Sequence, residues 1–374
     1  MQLILVTGAG GSATALAAAA TALAAAPQRR TLLASLGPVH TLPALLGAAL
    51  APSPQPLSPA LDGVAFDALA ASGEAWNQRR STISGPPAQI NGDELPLLPG
   101  MDVLLALDAL RALAPRYELA VLDVGSYANL IRALAIPDAF RWFVRLLVGL
   151  DRGPGRSAQS AARAMLPTAL LPSAWLGPLQ EARVQLEALR DVASTPAGAS
   201  VAYVLDPTDA ALEEARVAVP ALQLHGLAVA ALLAGPLLPP DVADARLAPL
   251  AAEHERVRAE AAALWAPRPL LALPLGAERG IAPLRALGQR LYSDTPPEQL
   301  LAAQPPIRLV DGPALALSLP GLPRGQLRLT LSGDELIVAA GPFRRHLLLT
   351  EALRGTTAIK ATREGDDVLI RVRQ

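Results

Sequence analysis

The chain of 374 residues contains no cysteine. Disulfide bridges, thiolate metal sites and a catalytic thiol are therefore excluded. Lysine occurs once, at Lys360, so no other segment can contain the lysine of an intact phosphate-binding P-loop. Histidine is also scarce, and we predict no metal site because the four histidines are scattered along the chain: His40, His225, His254 and His346.

Net charge and long apolar runs are lacking as well. The formal net charge is −1, which gives no electrostatic case for binding nucleic acid. No uninterrupted apolar run reaches the length of about 20 residues that spans a membrane. The amino-terminal segment lacks the basic start of a signal peptide. We therefore expect a cytoplasmic protein without an integral membrane segment.

Patterns of buried strands and of helices alternate over most of the chain. Short apolar runs that are typical of parallel strands cover residues 2–6, 31–35, 119–123, 201–205, 227–233 and 270–273. Helical periodicity between these runs covers residues 101–114, 208–224 and 245–264. The alternation predicts an α/β fold with a doubly wound parallel sheet. An apolar helical insertion interrupted by prolines is predicted at about 138–195.

The pattern changes near the carboxyl end. A proline-rich segment over residues 294–306 predicts a linker. From Ile307 onward, apolar residues alternate with period two, and the breaks fall at Pro-Gly, Ser-Gly-Asp and Gly-Asp-Asp. We therefore predict two domains, residues 1–293 and residues 307–374, and the second is predicted to be an antiparallel β-sandwich.

A glycine-rich turn, VTGAGGSATALAAAA, follows the first apolar run and opens a helix. A P-loop occupies this position and reads G-x-x-x-x-G-K-[ST]. Only the first glycine is kept, because Ala13, Thr14 and Ala15 replace the second glycine, the lysine and the hydroxyl residue. The turn could still present backbone N–H groups to an anion. The candidate nucleotide-binding residues are Gly8, Gly10, Gly11, Ser12, Ala13, Thr14 and Ala15.

The order and spacing of several segments resemble the ArsA family, which contains arsenite-pump ATPases and ATPases that target tail-anchored proteins. TLLASLGPVHTLPALLG is similar to switch I of that family, with Pro38 and His40 in register. VLDVGSYANLIRALAIP resembles switch II, with Asp123 in register. The last segment resembles the α-crystallin (small heat-shock-protein-like) module of some members. The resemblance implies a P-loop NTPase-like first domain.

Departures from the family's pattern imply that its cationic phosphate ligands are lost. Ala9 and Thr14 stand at the positions of the two loop lysines, and Gly37 replaces the switch I aspartate that prepares the attacking water. Gly235 replaces an asparagine that reads adenine. Phosphoryl transfer depends on neutralising charge at the transferred group, so we expect no competent hydrolysis. Asp123 is a weak catalytic candidate, since it could hold magnesium or only cap the next turn.

Three functions stay open. The first is a non-hydrolytic homodimer, implied by the paired halves of the family, that binds hydrophobic protein segments or serves as a scaffold. The second is a slow or unconventional ATPase that binds ATP or ADP with Mg²⁺ at low affinity. The third is a structural role in which the C-terminal module drives assembly. Arsenite is not an expected substrate, because its sensing in the family relies on thiolates. The candidate client-binding residues are Phe140, Trp142, Phe143, Met165 and Trp175.

Overall fold

The first domain is built on an eight-stranded sheet. The computed structural model describes residues 1–37, 40–81, 85–148, 181, 184–188, 190–191, 199–276, 278–310, 314–349, 353–354 and 358–372. The strands of this sheet are β1 (Gln2–Gly8), β2 (Thr31–Ser35), β3 (Gln55–Ser58), β4 (Leu61–Ala65), β5 (Leu119–Ser126), β6 (Ala199–Leu205), β7 (Val229–Leu237) and β8 (Leu270–Pro274). Their order is β3-β4-β2-β5-β1-β6-β7-β8. All neighbours are parallel except β3 and β4, which confirms the predicted doubly wound sheet.

Helices cover both faces of this sheet. They are α1 (Ser12–Ala25), α2 (Leu42–Leu46), α3 (Ala68–Arg80), α4 (Met101–Leu113), α5 (Tyr127–Val148), α6 (Asp209–Leu224), α7 (Ala248–Trp265) and α8 (Ile281–Leu291). Short 3₁₀ turns occupy Pro86–Gln89, Gly92–Glu94, Ala114–Arg116 and Pro297–Ala302. The core under one face takes side chains from α4, α5, α6 and α7, and the core under the other takes them from α1, α2 and α8.

The alanine-rich sequence of α1 allows close packing. A Cβ atom at Gly288 of α8 would lie 2.3 Å from the carbonyl oxygen of Ala20 in α1, so the two helices lie too close for any residue larger than glycine at this position.

On the other face, α5 runs without a break through residue 138, where the helical insertion was predicted to begin. Within the described residues, no helix is long and apolar enough to cross a bilayer.

The C-terminal strands form two antiparallel sheets. They are β9 (Ile307–Val310), β10 (Ala314–Ser318), β11 (Leu327–Ser332), β12 (Glu335–Ala340), β13 (Phe343–Leu348), β14 (Ile359–Glu364) and β15 (Asp367–Val372). One sheet has the order β14-β15-β10-β9 and the other β11-β12-β13. Leu317, Val338 and Ile370 from the two sheets share one core, which confirms the predicted β-sandwich.

The two domains are in direct contact. Leu300, within the segment predicted as a linker, is buried in the core of the first domain beside α1. Leu224 at the end of α6 belongs to the core of the sandwich. Gln223 Nε2 donates to the carbonyl oxygen of Ser318 at 2.7 Å, and Arg345 Nη1 donates to that of Leu224 at 2.9 Å. The sandwich is therefore fixed on the end of α6.

Gln223→Leu is expected to lower the free energy of unfolding by roughly 1–2 kcal/mol, because the Ser318 carbonyl loses its donor in a partly buried place. Urea denaturation of the two proteins measures this difference. Glu213→Gln, an exposed change on the same helix, is the control and is expected to stay within about 0.5 kcal/mol of the natural chain. Equal stabilities of the two variants would show that this domain contact contributes nothing.

Candidate functional site

A cavity of about 910 Å³ opens at the carboxyl ends of the central strands. Its lining includes Ala9 after β1, Gly37 after β2, Asp67 after β4, and Gly125 at the end of β5. Strand β1 lies where the chain changes direction, with β2 to β5 on one side of it and β6 to β8 on the other. In open α/β sheets, ligands bind in the crevice at such a switch point. The volume falls in the range of about 300–1,000 Å³ that is usual for small-molecule sites.

The glycine-rich turn keeps the backbone shape of an anion site. A Cβ atom at Gly8 would lie 2.3 Å from the carbonyl oxygen of Val204, so a larger residue would push β1 away from β6. Gly10 and Gly11 have φ of +99° and +86°, a conformation that favours glycine. Gly11 precedes α1 and makes no side-chain cap, and Ser12 is exposed beside it. The first N–H groups of α1 therefore have no side-chain cap, and Gly10 and Gly11 just before them line the cavity.

The side chains that replace the P-loop lysine and hydroxyl do not line the cavity. Thr14 is buried, and its hydroxyl donates to the carbonyl oxygen of Gly11 at 2.9 Å. Ala15 is fully buried in the core between α1 and the sheet, and Ala13 is partly buried. Neither the Thr14 hydroxyl nor the Ala15 methyl group lines the cavity, so these two positions offer no ligand to a phosphate or to magnesium there.

Asp123 lies under the cavity rather than in its lining. Its side chain is 7% exposed, and its Oδ1 accepts a hydrogen bond from the backbone N–H of Gly125 at 3.2 Å. Burial raises the pKa of Asp123 to about 6 and outweighs the nearby hydroxyl of Thr14 and the hydrogen bond from Gly125, which act in the opposite direction. The observed contact is that of a carboxylate capping the turn after β5.

His40 lines the cavity near the end of β2. Its Nδ1 lies 2.8 Å from Ser35 Oγ, and Ser35 is buried at the end of β2. Burial lowers the pKa of His40 below its ordinary value, and the nearby negative charge of Asp67 opposes this shift only in part. Gly37 also lines the cavity, and Pro38 lies outside the described residues.

Four polar residues of the cavity lining were not predicted from the sequence: Asp67, Asp102, Ser126 and Asn129. Asp67 begins α3, where its Oδ1 accepts the backbone N–H of Ala70 at 2.9 Å. Asp102 lies in the first turn of α4, is 8% exposed, and accepts a hydrogen bond on Oδ2 from Asn129 Nδ2 at 2.9 Å. An aspartate just before or just inside a helix is an ordinary N-terminal signal, so its position in the sequence gives no indication of a binding site.

The rest of the described lining is mainly apolar and carries no positive charge. None of the described residues that line the cavity is lysine or arginine, and its acidic residues are Asp67 and Asp102. The large apolar residues of the lining are Leu50, Pro52, Phe66, Leu69, Leu97, Leu98 and Pro99.

Gly235, near the end of β7, cannot carry a longer side chain in this backbone. A Cβ atom there would lie 2.2 Å from the carbonyl oxygen of Leu273 in β8. An asparagine at this position would therefore require the two strands to separate.

The client-binding candidates are only partly described. Phe140 is half-buried on α5, and Trp142 is 44% exposed. Trp142 Nε1 donates to His346 Nδ1 at 3.2 Å, and the two rings meet edge to face with their centres 6.0 Å apart, so Trp142 contacts the sandwich. The side chain of Phe143 lies outside the described residues, as do Met165 and Trp175.

Comparison with known proteins places the chain in a family. The family model for anion-transporting ATPases matches residues 1–293. The chain belongs to the ArsA family. A model of the HSP20-like domain found in ArsA proteins matches residues 311–372, which contain most of the sandwich.

Individual proteins resemble the chain over most of its length. An uncharacterised protein of Streptomyces coelicolor is 31% identical over 383 residues, which cover 96% of this chain and 93% of that protein. A protein of Mycobacterium tuberculosis is 29% identical, with 100% of this chain and 96% of that protein covered. A putative arsenical pump-driving ATPase of Aquifex aeolicus is 23% identical over 75% of this chain and 74% of its own. In this ArsA member, a glycine-rich turn borders a cavity whose described lining has no positive side chain.

Proposed function

We propose that this ArsA-family chain is a non-hydrolytic member that acts as a binding or scaffold protein. The observation that carries the proposal is the lack of lysine and arginine among the described residues of the cavity, where Asp67 and Asp102 are acidic. A phosphoryl group in transfer needs positive charge around it. Loss of one stabilising donor costs about 2.7–4 kcal/mol in oxyanion-hole comparisons, so several losses together leave no useful turnover.

The positions of Thr14 and Ala15 support the same proposal. A P-loop uses these positions for the lysine that reaches the phosphates and the hydroxyl that holds magnesium. Here the hydroxyl of Thr14 is bonded to its own helix, and Ala15 is packed in the core. A bound nucleotide would therefore meet backbone N–H groups and acidic side chains at this end of the sheet.

The scaffold role includes a homodimer and contact with hydrophobic protein segments. Leu309 on β9 and Leu348 at the end of β13 are more than half exposed. Both strands are edges of their sheets, and unpaired edges with apolar side chains are ready sites of pairing with another chain. These two strands support assembly through the C-terminal domain.

A slow ATPase is the second candidate function, and the glycine-rich turn favours it. Gly10 and Gly11 ahead of α1 keep the backbone form that binds phosphate, and Asp123 would be the magnesium ligand. This candidate requires Asp123 to turn from Gly125 toward the cavity.

Phosphate release from ATP and Mg²⁺ tests the proposal. We expect the natural chain to release phosphate no faster than a sample without protein, because the cavity cannot neutralise the transferred group. Asp123→Asn should leave this background unchanged, and Asp108→Asn, an exposed change on α4, controls for contaminating ATPases. Magnesium-dependent release that only Asp123→Asn abolishes would establish the second candidate and overturn the first.

A further inference from the structure

We propose that a second cavity, beside the edge strand β8, binds a small neutral molecule that has an apolar body and a carbonyl-type hydrogen-bond acceptor. This cavity of about 270 Å³ lies between α7, β8 and the segment that follows β7. The inference goes beyond the proposed function, which concerns the larger cavity at the carboxyl ends of β1, β2, β4 and β5. It rests on the walls of the second cavity and on one histidine, His254.

His254 on α7 lines this cavity, and its backbone partner fixes where its proton lies. The residue is only 8% exposed, and its Nδ1 accepts a hydrogen bond from the backbone N–H of Leu238 at 3.1 Å. A ring nitrogen that accepts a hydrogen bond carries no proton, so the proton of the neutral ring lies on Nε2. The contact with Leu238 therefore makes Nε2 a hydrogen-bond donor.

This donor lacks an acceptor. Among the described residues, Nε2 of His254 has no hydrogen-bond partner. It also differs from the ring nitrogens of His225, which lack a partner and are fully enclosed. A buried donor without an acceptor lowers the stability of the folded state. An acceptor atom on a molecule in the cavity would complete the hydrogen bonding of His254.

The walls of the cavity suit a small apolar body. Three prolines, Pro239, Pro240 and Pro274, and two alanines, Ala251 and Ala272, belong to the lining. The volume lies just below the range of about 300–1,000 Å³ that is usual for small-molecule sites, so a ligand of small size fits. Apolar atoms that leave water for these walls would stabilise the complex.

The charged residues of the described lining favour a neutral ligand. They are Glu255 and Arg258 of α7, and Arg258 Nε donates to Glu255 Oε2 at 2.8 Å. This ion pair leaves the cavity without net charge. A carboxylate would lose its hydration among apolar side chains, whereas a carbonyl oxygen loses much less and needs only one donor. The acceptor of the ligand is therefore a neutral oxygen.

The cavity is separate from the position at which the family reads adenine. Gly235 occupies that position and does not line the second cavity. A Cβ atom at Gly235 would meet Leu273 of β8, whose side chain packs in the core beside α1 and α8. Ala272 precedes Leu273 and faces the opposite side of the sheet, because side chains alternate along a strand. A result for this cavity therefore leaves the proposed function untouched.

NMR titration of the full chain labelled with ¹⁵N-histidine tests the inference with three probes of equal size. Acetophenone carries the carbonyl oxygen, α-methylstyrene has a CH₂ group in its place, and benzoate is an anion. We expect acetophenone to bind roughly fivefold more tightly than α-methylstyrene, because one hydrogen bond typically contributes about this factor. Benzoate should bind more weakly than acetophenone, since its charge must lose water.

The same spectra identify the donor. Acetophenone should shift the Nε2 resonance of His254, which is the signal that His254→Gln lacks. Absence of acetophenone binding, or equal affinity for acetophenone and α-methylstyrene, would overturn the inference. Tighter binding of benzoate would overturn the assignment of a neutral ligand.

Matched variants locate the binding. Ala272 is exposed on β8 and lines the cavity, so Ala272→Leu should fill part of it and weaken acetophenone binding at least roughly tenfold. Ala259→Leu, an exposed change on α7 outside the lining, is the control and should leave the affinity unchanged. Urea denaturation verifies that both variants fold. Unchanged acetophenone affinity in folded Ala272→Leu would overturn the inference. If Ala272→Leu does not fold, the comparison of the three probes on the natural chain decides.

Discussion

Asp123→Asn is expected to stabilise the folded protein at pH 7.5 by about 3 kcal/mol. Burial raises the pKa of Asp123 from 3.8 to about 6, and each pKa unit corresponds to about 1.4 kcal/mol. The folded state thus binds this proton more tightly than the unfolded state. The resulting stability is complete below pH 3.8 and is lost as the pH rises through about 6. An amide in place of the ionised carboxylate avoids that loss.

Urea denaturation at two pH values tests this expectation. The advantage of Asp123→Asn should shrink to about 1 kcal/mol at pH 4.5, where the carboxyl of the natural chain is largely protonated in the folded state. Asp108→Asn, exposed on α4, is the control for replacing an aspartate by asparagine and should stay within about 0.5 kcal/mol of the natural chain at pH 7.5. A variant that is less stable than the natural chain at pH 7.5 would mean that the folded state uses the charge of Asp123. The expected result, a more stable variant, would instead mean that the natural chain keeps this acid at a cost in stability, which is typical of functional sites.

The strands that are buried on both faces could be predicted from the sequence. The apolar runs at 31–35 and 119–123 correspond to β2 and to the first part of β5, because the sheet carries helices on both sides. The runs at 2–6 and 201–205 likewise lie within β1 and β6. Continuous apolar segments of this kind can be predicted as strands without information from the rest of the chain.

Strands β3 and β4 were not predicted, because distant residues make them possible. Asp62 is buried in β4, where a carboxylate would ordinarily argue against a strand. Arg30 Nη2 lies 2.7 Å from Asp62 Oδ2, and the hydroxyl of Tyr117 donates to the same oxygen at 2.6 Å. Pro56 is accommodated in β3, which is the edge strand of the sheet. Neither partner of Asp62 is close to it in the sequence.

The candidate site was predictable in its position but not in its chemistry. The glycine-rich turn after β1 lies at the end of the sheet where the cavity opens. The direction of the Thr14 hydroxyl depends on the first turn of α1, and the cavity's acids come from α3 and α4. Only packing brings Asp102 of α4 against Asn129 of α5, because their helices are separated by β5 in the chain.

The natural chain is expected to lose about 3 kcal/mol of unfolding free energy between pH 7.5 and pH 4 because of His225. In His225→Leu this part of the loss should be absent. His225 follows α6, is 1% exposed, and neither ring nitrogen has a hydrogen-bond partner among the described residues. Burial lowers its pKa from 6.5 to about 3, and the positive charges of Arg345 and Arg190 act in the same direction. The unfolded state therefore binds the proton first, so the stability is complete above pH 6.5 and is lost as the pH falls toward 3.

The difference in unfolding free energy between the two proteins, measured in urea at several pH values, isolates His225 from the other titrating groups. Asp123 contributes with the opposite sign below pH 6, but it is present in both proteins and cancels. His254→Gln is the control for the loss of a histidine, because glutamine keeps an acceptor for the backbone N–H of Leu238. If the unfolding free energies of the natural chain and of His225→Leu change equally with pH, His225 takes up its proton in the folded protein as readily as in the unfolded one. The contact between α6 and the sandwich would then have to admit water at acidic pH.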